Sequence, residues 1–232
     1  WLGLDWDEGP DAGGPAGPYV QSARMELYAD ALNRLGRAGH IYPCYCTRKE
    51  LRTLAGAPHV GDAGAAYPGT CRNLPPERRA ELEAAGRRPC IRLRCPSQNY
   101  AFEDAVFGPF SMTLEACGGD FALRRSDGVI AYQLAVVVDD GLMGITQVVR
   151  GEDLLVSTPR QLALFDLLGY PRPAYMHLPL LCDPEGERLA KRHASLTLAS
   201  LRDAGVSPAA VAGYLGWKAG LIGALAPAHP RN

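Results

Sequence analysis

The stretch Ile145-Thr146-Gln147-Val148-Val149-Arg150-Gly151-Glu152-Asp153 is an apolar run that ends on an arginine, and a helix signal follows it at once. Ser157 or Thr158 can cap, Pro159 stands at the helix start, Leu162, Phe165 and Leu168 share one face, and Gly169 closes it. A strand feeding a helix through a short loop is the repeating unit of an α/β fold. Upstream, residues 129–138 are almost continuously apolar, as in the strands or buried helices of a covered sheet, and periodicity does not separate the two. Downstream, residues 176–181 predict one more apolar strand, and Ser207-Pro208 opens a final helix toward Trp217. Arg150 is thereby placed at the carboxyl end of a strand, the edge at which open α/β sheets bind ligands. Its guanidinium could take up a carboxylate or phosphate, or form a salt bridge with Glu152 or Asp153. Tyr132 and the pair Asp139-Asp140 precede it, and acids there either bind ligand or cap a helix.

Further toward the N-terminus, residues 8–18 are a Gly- and Pro-rich loop. Ser22 then precedes a helix carrying Met25, Leu27, Tyr28, Ala31, Leu32 and Leu35, which Gly39 ends. Residues 41–46 look extended, and Thr47-Arg48-Lys49-Glu50 has the form of a capping box opening a short helix through Leu54. A Gly/Ala-rich loop follows over residues 56–69. Pro75 then starts a helix to Ala85, closed by Gly86, and Ile91-Arg92-Leu93-Arg94 alternates like a half-buried strand.

With 232 residues, 47% apolar and 21% charged, the chain can bury one α/β core, or a core plus a small inserted module. The longest candidate for a membrane span, residues 134–138, is stopped by Asp139 and Asp140, so a soluble protein without a membrane partner is expected. Seven cysteines cannot all pair within the chain, which fits a reducing cytoplasm and thiols that are free or bind metal. A net charge of −1 provides no global drive toward nucleic acid, so any RNA contact must be local. Two basic concentrations could supply it: Arg72, Arg78, Arg79, Arg87, Arg88, Arg92 and Arg94, then Arg188, Lys191 and Arg192; either could equally be a solvated face. The chain begins at Trp1 inside an apolar segment and is expected to be a fragment, whereas Pro227 and Pro230 interrupt any helix at the other end and suggest a natural terminus.

Two constellations carry chemistry. Cys44-Tyr45-Cys46 and Tyr67-Pro68-Gly69-Thr70-Cys71 offer three thiols and a phenol that could form a tetrahedral zinc site, with His59 as an alternative fourth donor and inert buried cysteines as the other reading. Arg188-Leu189-Ala190-Lys191-Arg192 follows the turn Asp183-Pro184-Glu185-Gly186. It would suit a leaving pyrophosphate or be an ordinary basic surface loop.

Taken in order, seven segments resemble the catalytic core of glutamyl-tRNA synthetases: Leu2 to Glu8, Tyr19 to Arg24, Tyr42 to Thr47, Asp127 to Tyr132, Val138 to Asp140, Arg150 to Asp153, and His177 to Leu180. The resemblance is strongest to the anticodonless subgroup, the glutamyl-Q tRNA(Asp) synthetases, whose zinc site the quartet Cys44, Cys46, Tyr67 and Cys71 is similar to. It implies an α/β class I aminoacyl-tRNA synthetase core of Rossmann type with a zinc-bearing insertion, lacking the N-terminal strand and HIGH segment. The implied division is residues 1–40 for the rest of the first Rossmann half, 41–96 for the insertion, 97–185 for the connecting region and second half, and 186–232 for a KMSKS-like loop and helical tail. The implied activity joins glutamate to AMP from ATP, with Mg, and passes the glutamyl group to queuosine in the anticodon stem-loop of tRNA(Asp), by a cytoplasmic monomer. By motif, Tyr132 and Arg150 would bind glutamate, and Lys191 would be the second KMSKS lysine, serving ATP and catalysis.

Three departures qualify the resemblance. Without a HIGH sequence the chain is expected not to activate glutamate by itself. Arg188 and Ala190 replace a lysine and a serine in the signature loop, and Val136 stands where some full-length synthetases carry a polar residue. An ordinary glutamyl-tRNA synthetase fragment and a noncatalytic zinc-bearing RNA-binding module are the alternatives.

Overall fold

The structure, a computed structural model, describes residues 1–47, 49–51, 67–182, 189 and 197–229. It divides into two compact units, one comprising Pro15–His177 and the other Trp1–Gly14 with Leu178–Asn232.

In the larger unit, helix α1 (Met25–Arg37) buries Tyr28, Ala31, Leu32 and Leu35 as one stripe, whereas Met25 and Leu27 of the same apolar run stay exposed. Strand β1 (Ile41–Cys44) pairs antiparallel with β2 (Cys90–Leu93), which pairs with β5 (Ala122–Arg124), giving a sheet of order β1-β2-β5. Between β1 and β2 lies α2 (Pro76–Ala84), where Pro75 caps in an extended conformation and the helix itself starts one residue later than its sequence suggests. The second sheet, of order β4-β3-β7-β6, combines the hairpin β3 (Asn99–Asp104) and β4 (Gly108–Thr113) with β6 (Gln147–Gly151) and β7 (Ala174–Leu178). Strands β3 and β7 run parallel, with Asp104 beside Tyr175.

The ambiguous run 129–138 becomes a helix, α3 (Tyr132–Met143), preceded by Ala131 in an extended conformation and ended by Gly144 at φ 67°. Its buried positions Leu134, Ala135, Val137 and Val138 follow helical spacing. Gly141 is required there, because a Cβ would lie 2.5 Å from the Tyr170 ring. Helix α4 (Thr158–Leu168) is also terminated by a left-handed glycine, Gly169. Its Ser157 makes no side-chain cap bond, and Thr158 is the first helical residue. Leu162, Leu164 and Phe165 join Leu134, Val138 and Tyr28 in one core, where truncating a leucine to alanine costs about 2–5 kcal/mol.

In the smaller unit, α5 (Leu198–Asp203) begins with a reciprocal capping box between Thr197 and Ser200, and Ser207 caps α6 (Pro208–Lys218) by accepting the Ala210 N–H. The tail crosses α6 at Gly213, where a Cβ would lie 1.9 Å from the Ala226 carbonyl oxygen, and Ala228 N–H donates to Ala209 O. Leu180, Leu181, Leu198, Leu201, Val211 and Tyr214 contribute to an apolar cavity of about 720 Å³. Among the described residues, no helix is long and apolar enough to cross a membrane.

Candidate functional site

Arg150 lies near the end of β6, where the strand turns toward α4, and its guanidinium faces neutral acceptors. Nε donates to His177 Nε2 at 3.0 Å, Nη1 to Gln161 Oε1 at 2.8 Å and Nη2 to Thr158 Oγ1 at 2.8 Å. The guanidinium carbon also sits 5.2 Å from the centre of the Tyr175 ring. The salt bridge to Glu152 or Asp153 that the sequence allowed is therefore not where the hydrogen bonds of Arg150 go.

Behind Arg150, His177 is fully buried and its Nδ1 is 2.6 Å from Asp104 Oδ2. Asp104 Oδ1 also accepts the N–H groups of Val106 and Phe107, both at 3.0 Å, and Oδ2 accepts the His177 N–H at 3.1 Å. Burial opposes ionisation of Asp104, yet these hydrogen bonds hold its carboxyl below the usual carboxylate range. Gln161 is fixed in turn by donating to Gln133 Oε1 at 2.9 Å.

Tyr132, 48% exposed at the start of α3, acts electrostatically on the buried Tyr175 hydroxyl, as do Arg150 and Asp140. That hydroxyl has no hydrogen-bond partner among the described residues, and burial raises its pKa. Burial also pushes Asp140 up to about 6, against the lowering effect of Arg150. Arg150, Asp140, Tyr132 and Tyr175 thus lie close enough to act on one another electrostatically, one cation and one carboxyl beside two phenols.

The other member of the aspartate pair is structural. Asp139 Oδ1 accepts Arg24 Nε at 2.6 Å and Tyr28 Oη at 2.9 Å, and Oδ2 accepts Gln21 Nε2 at 3.1 Å. Arg24 also donates to the carbonyls of Ala16 and Pro18, tying the loop before α1 to α3.

A second constellation gathers Cys44, Cys46 and Cys71, whose sulfurs all lie within 4.8 Å of one another. Cys46 and Cys71 are 3.6 Å apart, and Tyr67 Oη is 3.3 Å from Cys44 Sγ while accepting the Cys71 N–H at 2.8 Å. Three thiols and a phenol oxygen at this spacing fit the donor set of a tetrahedral zinc site. The β1–β2 register adds Cys90 opposite Cys44, and hydrogen bonding from Cys90 is the chief cause holding the Cys44 thiol below its ordinary pKa, against burial. Arg92 stands 4.0 Å over the Tyr67 ring and also favours a Cys44 thiolate.

His59, Arg188, Lys191 and Arg192 lie outside the described residues. Asp104, Thr158, Gln161 and Cys90 carried no sequence signal for a site. Asp104 is 73 positions from His177, and nothing local announces that pairing. His177 stood in a recognisable segment, but only the β3–β7 pairing shows what it does.

The family description "tRNA synthetases class I (E and Q), catalytic domain" matches residues 1–221. The glutamyl-Q tRNA(Asp) synthetase of Nitratidesulfovibrio vulgaris is 64% identical over 232 residues, covering 100% of this chain and 72% of that protein. The enzyme of the same name from Symbiobacterium thermophilum is 57% identical over 233 residues, covering 100% of this chain and 72% of its own. Among solved structures, glutamate-tRNA synthetase from Elizabethkingia anophelis superposes with a TM-score of 0.76 at 26% identity, over 93% of this chain and 48% of that one. The chain thus spans about half of that solved protein. Colinear motifs, fold and relatives agree, and the chain belongs to the class I catalytic-domain family of glutamyl- and glutaminyl-tRNA synthetases, a family of ligases with a mixed α/β core.

Proposed function

We propose that this protein activates glutamate with ATP and transfers the glutamyl group to queuosine in the anticodon of tRNA(Asp). The observation that carries this reading is the Arg150 guanidinium, held by three neutral acceptors at the end of β6 and so left with its charge available to a substrate carboxylate. The acceptor is supported by the relatives at 64% and 57% identity, whose names specify tRNA(Asp).

In this reading Arg150 and Tyr132 hold glutamate. A carboxylate oxygen of the amino acid attacks the α-phosphorus of ATP, pyrophosphate leaves, and a hydroxyl of the queuosine base then displaces AMP from the adenylate. Lys191, with Mg, would offset charge on the phosphates. Zinc, held by Cys44, Cys46, Tyr67 and Cys71, would supply a fixed crosslink between β1 and the segment that reaches α2, with no part in the chemistry. The protein would work as a cytoplasmic monomer, meeting the anticodon stem-loop with local basic groups.

An ordinary glutamate-tRNA ligase is the second reading, favoured by relatives of that name such as one from Sulfurihydrogenibium, 42% identical over 220 residues. ATP–pyrophosphate exchange and labelled glutamate with the full-length protein separate the readings. Exchange without tRNA, and label on queuosine-containing tRNA(Asp) only, is expected. Label on the 3′ end of tRNA(Glu) would establish the second reading, and RNA binding with no exchange would leave a noncatalytic module.

A further inference from the structure

We infer that Asp104 and His177 are positioning residues that hold Arg150 at a set orientation while leaving its charge free for substrate. The inference rests on Arg150 being the carboxylate-binding group proposed above. A guanidinium is always a donor, so the 3.0 Å contact from Arg150 Nε makes His177 Nε2 an acceptor. The ring proton must then be on Nδ1, which faces the Asp104 carboxylate at 2.6 Å. Asp104 is anchored by three backbone N–H groups, of Val106, Phe107 and His177. The tautomer is therefore dictated from β3 and the turn after it, and delivered through β7 to the end of β6.

The alternative arrangement, a carboxylate placed directly on Arg150, would neutralise the cation and compete with the ligand for the same N–H groups. An imidazole interposed between the two charges avoids this. It supplies a neutral acceptor at contact distance, while the anion one ring further back still stabilises a half-buried cation. Gln161 Oε1 and Thr158 Oγ1 complete the cradle without adding charge. Of the five N–H groups of a guanidinium, these bonds use three, which leaves one on each terminal nitrogen for a bidentate grip on a carboxylate.

The test compares His177→Asn, which keeps a donor toward Asp104 but loses the acceptor for Arg150, with His177→Gln, which restores an acceptor there. Both are made in the full-length protein beside Arg150→Ala. KM for glutamate is expected to rise about ten-fold or more in His177→Asn, with KM for ATP within about two-fold of wild type, and to recover most of the way in His177→Gln. Equal glutamate KM in His177→Asn and wild type would overturn the inference, as would parallel loss of glutamate and ATP use in both variants. Normal glutamate kinetics in Arg150→Ala would instead remove the reading on which the inference rests. On the unmodified protein, nitrogen-15 spectra of the histidine ring, assigned by the missing signal in His177→Gln, should show the Nδ1–H tautomer. An Nε2–H tautomer or a doubly protonated ring would refute the relay even if His177→Asn fails to fold.

Discussion

Asp139 and Asp140 are adjacent on α3, and they are predicted to answer the same substitution with opposite signs. Asp139 is the counter-ion of Arg24, whose side chain is 3% exposed, and it also accepts from Tyr28 and Gln21. Asp139→Asn leaves that guanidinium buried without a compensating charge, a loss of about 3–5 kcal/mol. Asp140 is pushed by burial from 3.8 to about 6 in the folded state. A carboxyl whose folded pKa is raised holds its proton longer in the native than in the unfolded chain, so stability falls as pH rises through the window from about 4 to about 6. At about 1.4 kcal/mol per pKa unit, reduced by solvent screening at a partly exposed carboxyl, the penalty above that window is about 1–2 kcal/mol. Asn imitates the protonated acid, so Asp140→Asn should stabilise the protein at pH 8 by up to that amount and leave it nearly unchanged at pH 3.5. Urea unfolding followed by far-UV circular dichroism at the two pH values measures both effects. The reasoning is refuted if Asp139→Asn costs less than about 1 kcal/mol, or if the gain from Asp140→Asn is the same at both pH values.

Purified, chelator-rinsed protein should carry close to one zinc per chain by elemental analysis, and Cys46→Ala or Cys71→Ala should lose it; unchanged zinc in either variant would dissolve the metal site. Gly141→Ala forces a methyl against the Tyr170 ring and should cost about 1–3 kcal/mol in urea unfolding, with the effect relieved by Tyr170→Ala. Binding of queuosine-containing tRNA(Asp) should weaken linearly in log affinity against log salt. Replacing a single phosphate-contacting arginine, with Arg192 the first to try, should flatten the slope by about one.

Much of the local structure was legible in residue order. The helix opened by Thr158-Pro159 and closed by Gly169, and the helix opened by Ser207-Pro208, depend on groups three to five residues apart, and such signals survive in any fold that buries the apolar face. The Thr47 capping box forms both of its bonds, Thr47 N–H to Glu50 at 2.6 Å and Glu50 N–H to Thr47 at 3.2 Å. The cysteine-rich motif was legible for the same reason, because Cys44 and Cys46 stand two positions apart at and just after the end of β1, and Tyr67 and Cys71 four positions apart. Residues 129–138 were not, since a fully buried helix and a covered strand are both apolar throughout and only the neighbours in space choose between them.

The sequence by itself determined the family, the glycine that ends α4, the serine that caps α6, and the thiol cluster as a candidate. The tertiary structure alone decided what the charged groups do. It assigned Asp139 to Arg24 across 115 positions, leaving Asp140 the raised acid, and it gave Arg150 to His177, Gln161 and Thr158 in place of its near neighbours Glu152 and Asp153. The physical reason is that a charge is partnered by whatever the strand register and helix packing bring within about 3 Å. The parallel pairing of β3 with β7, which sets Asp104 beside the imidazole of His177, comes from sheet assembly between residues 73 positions apart.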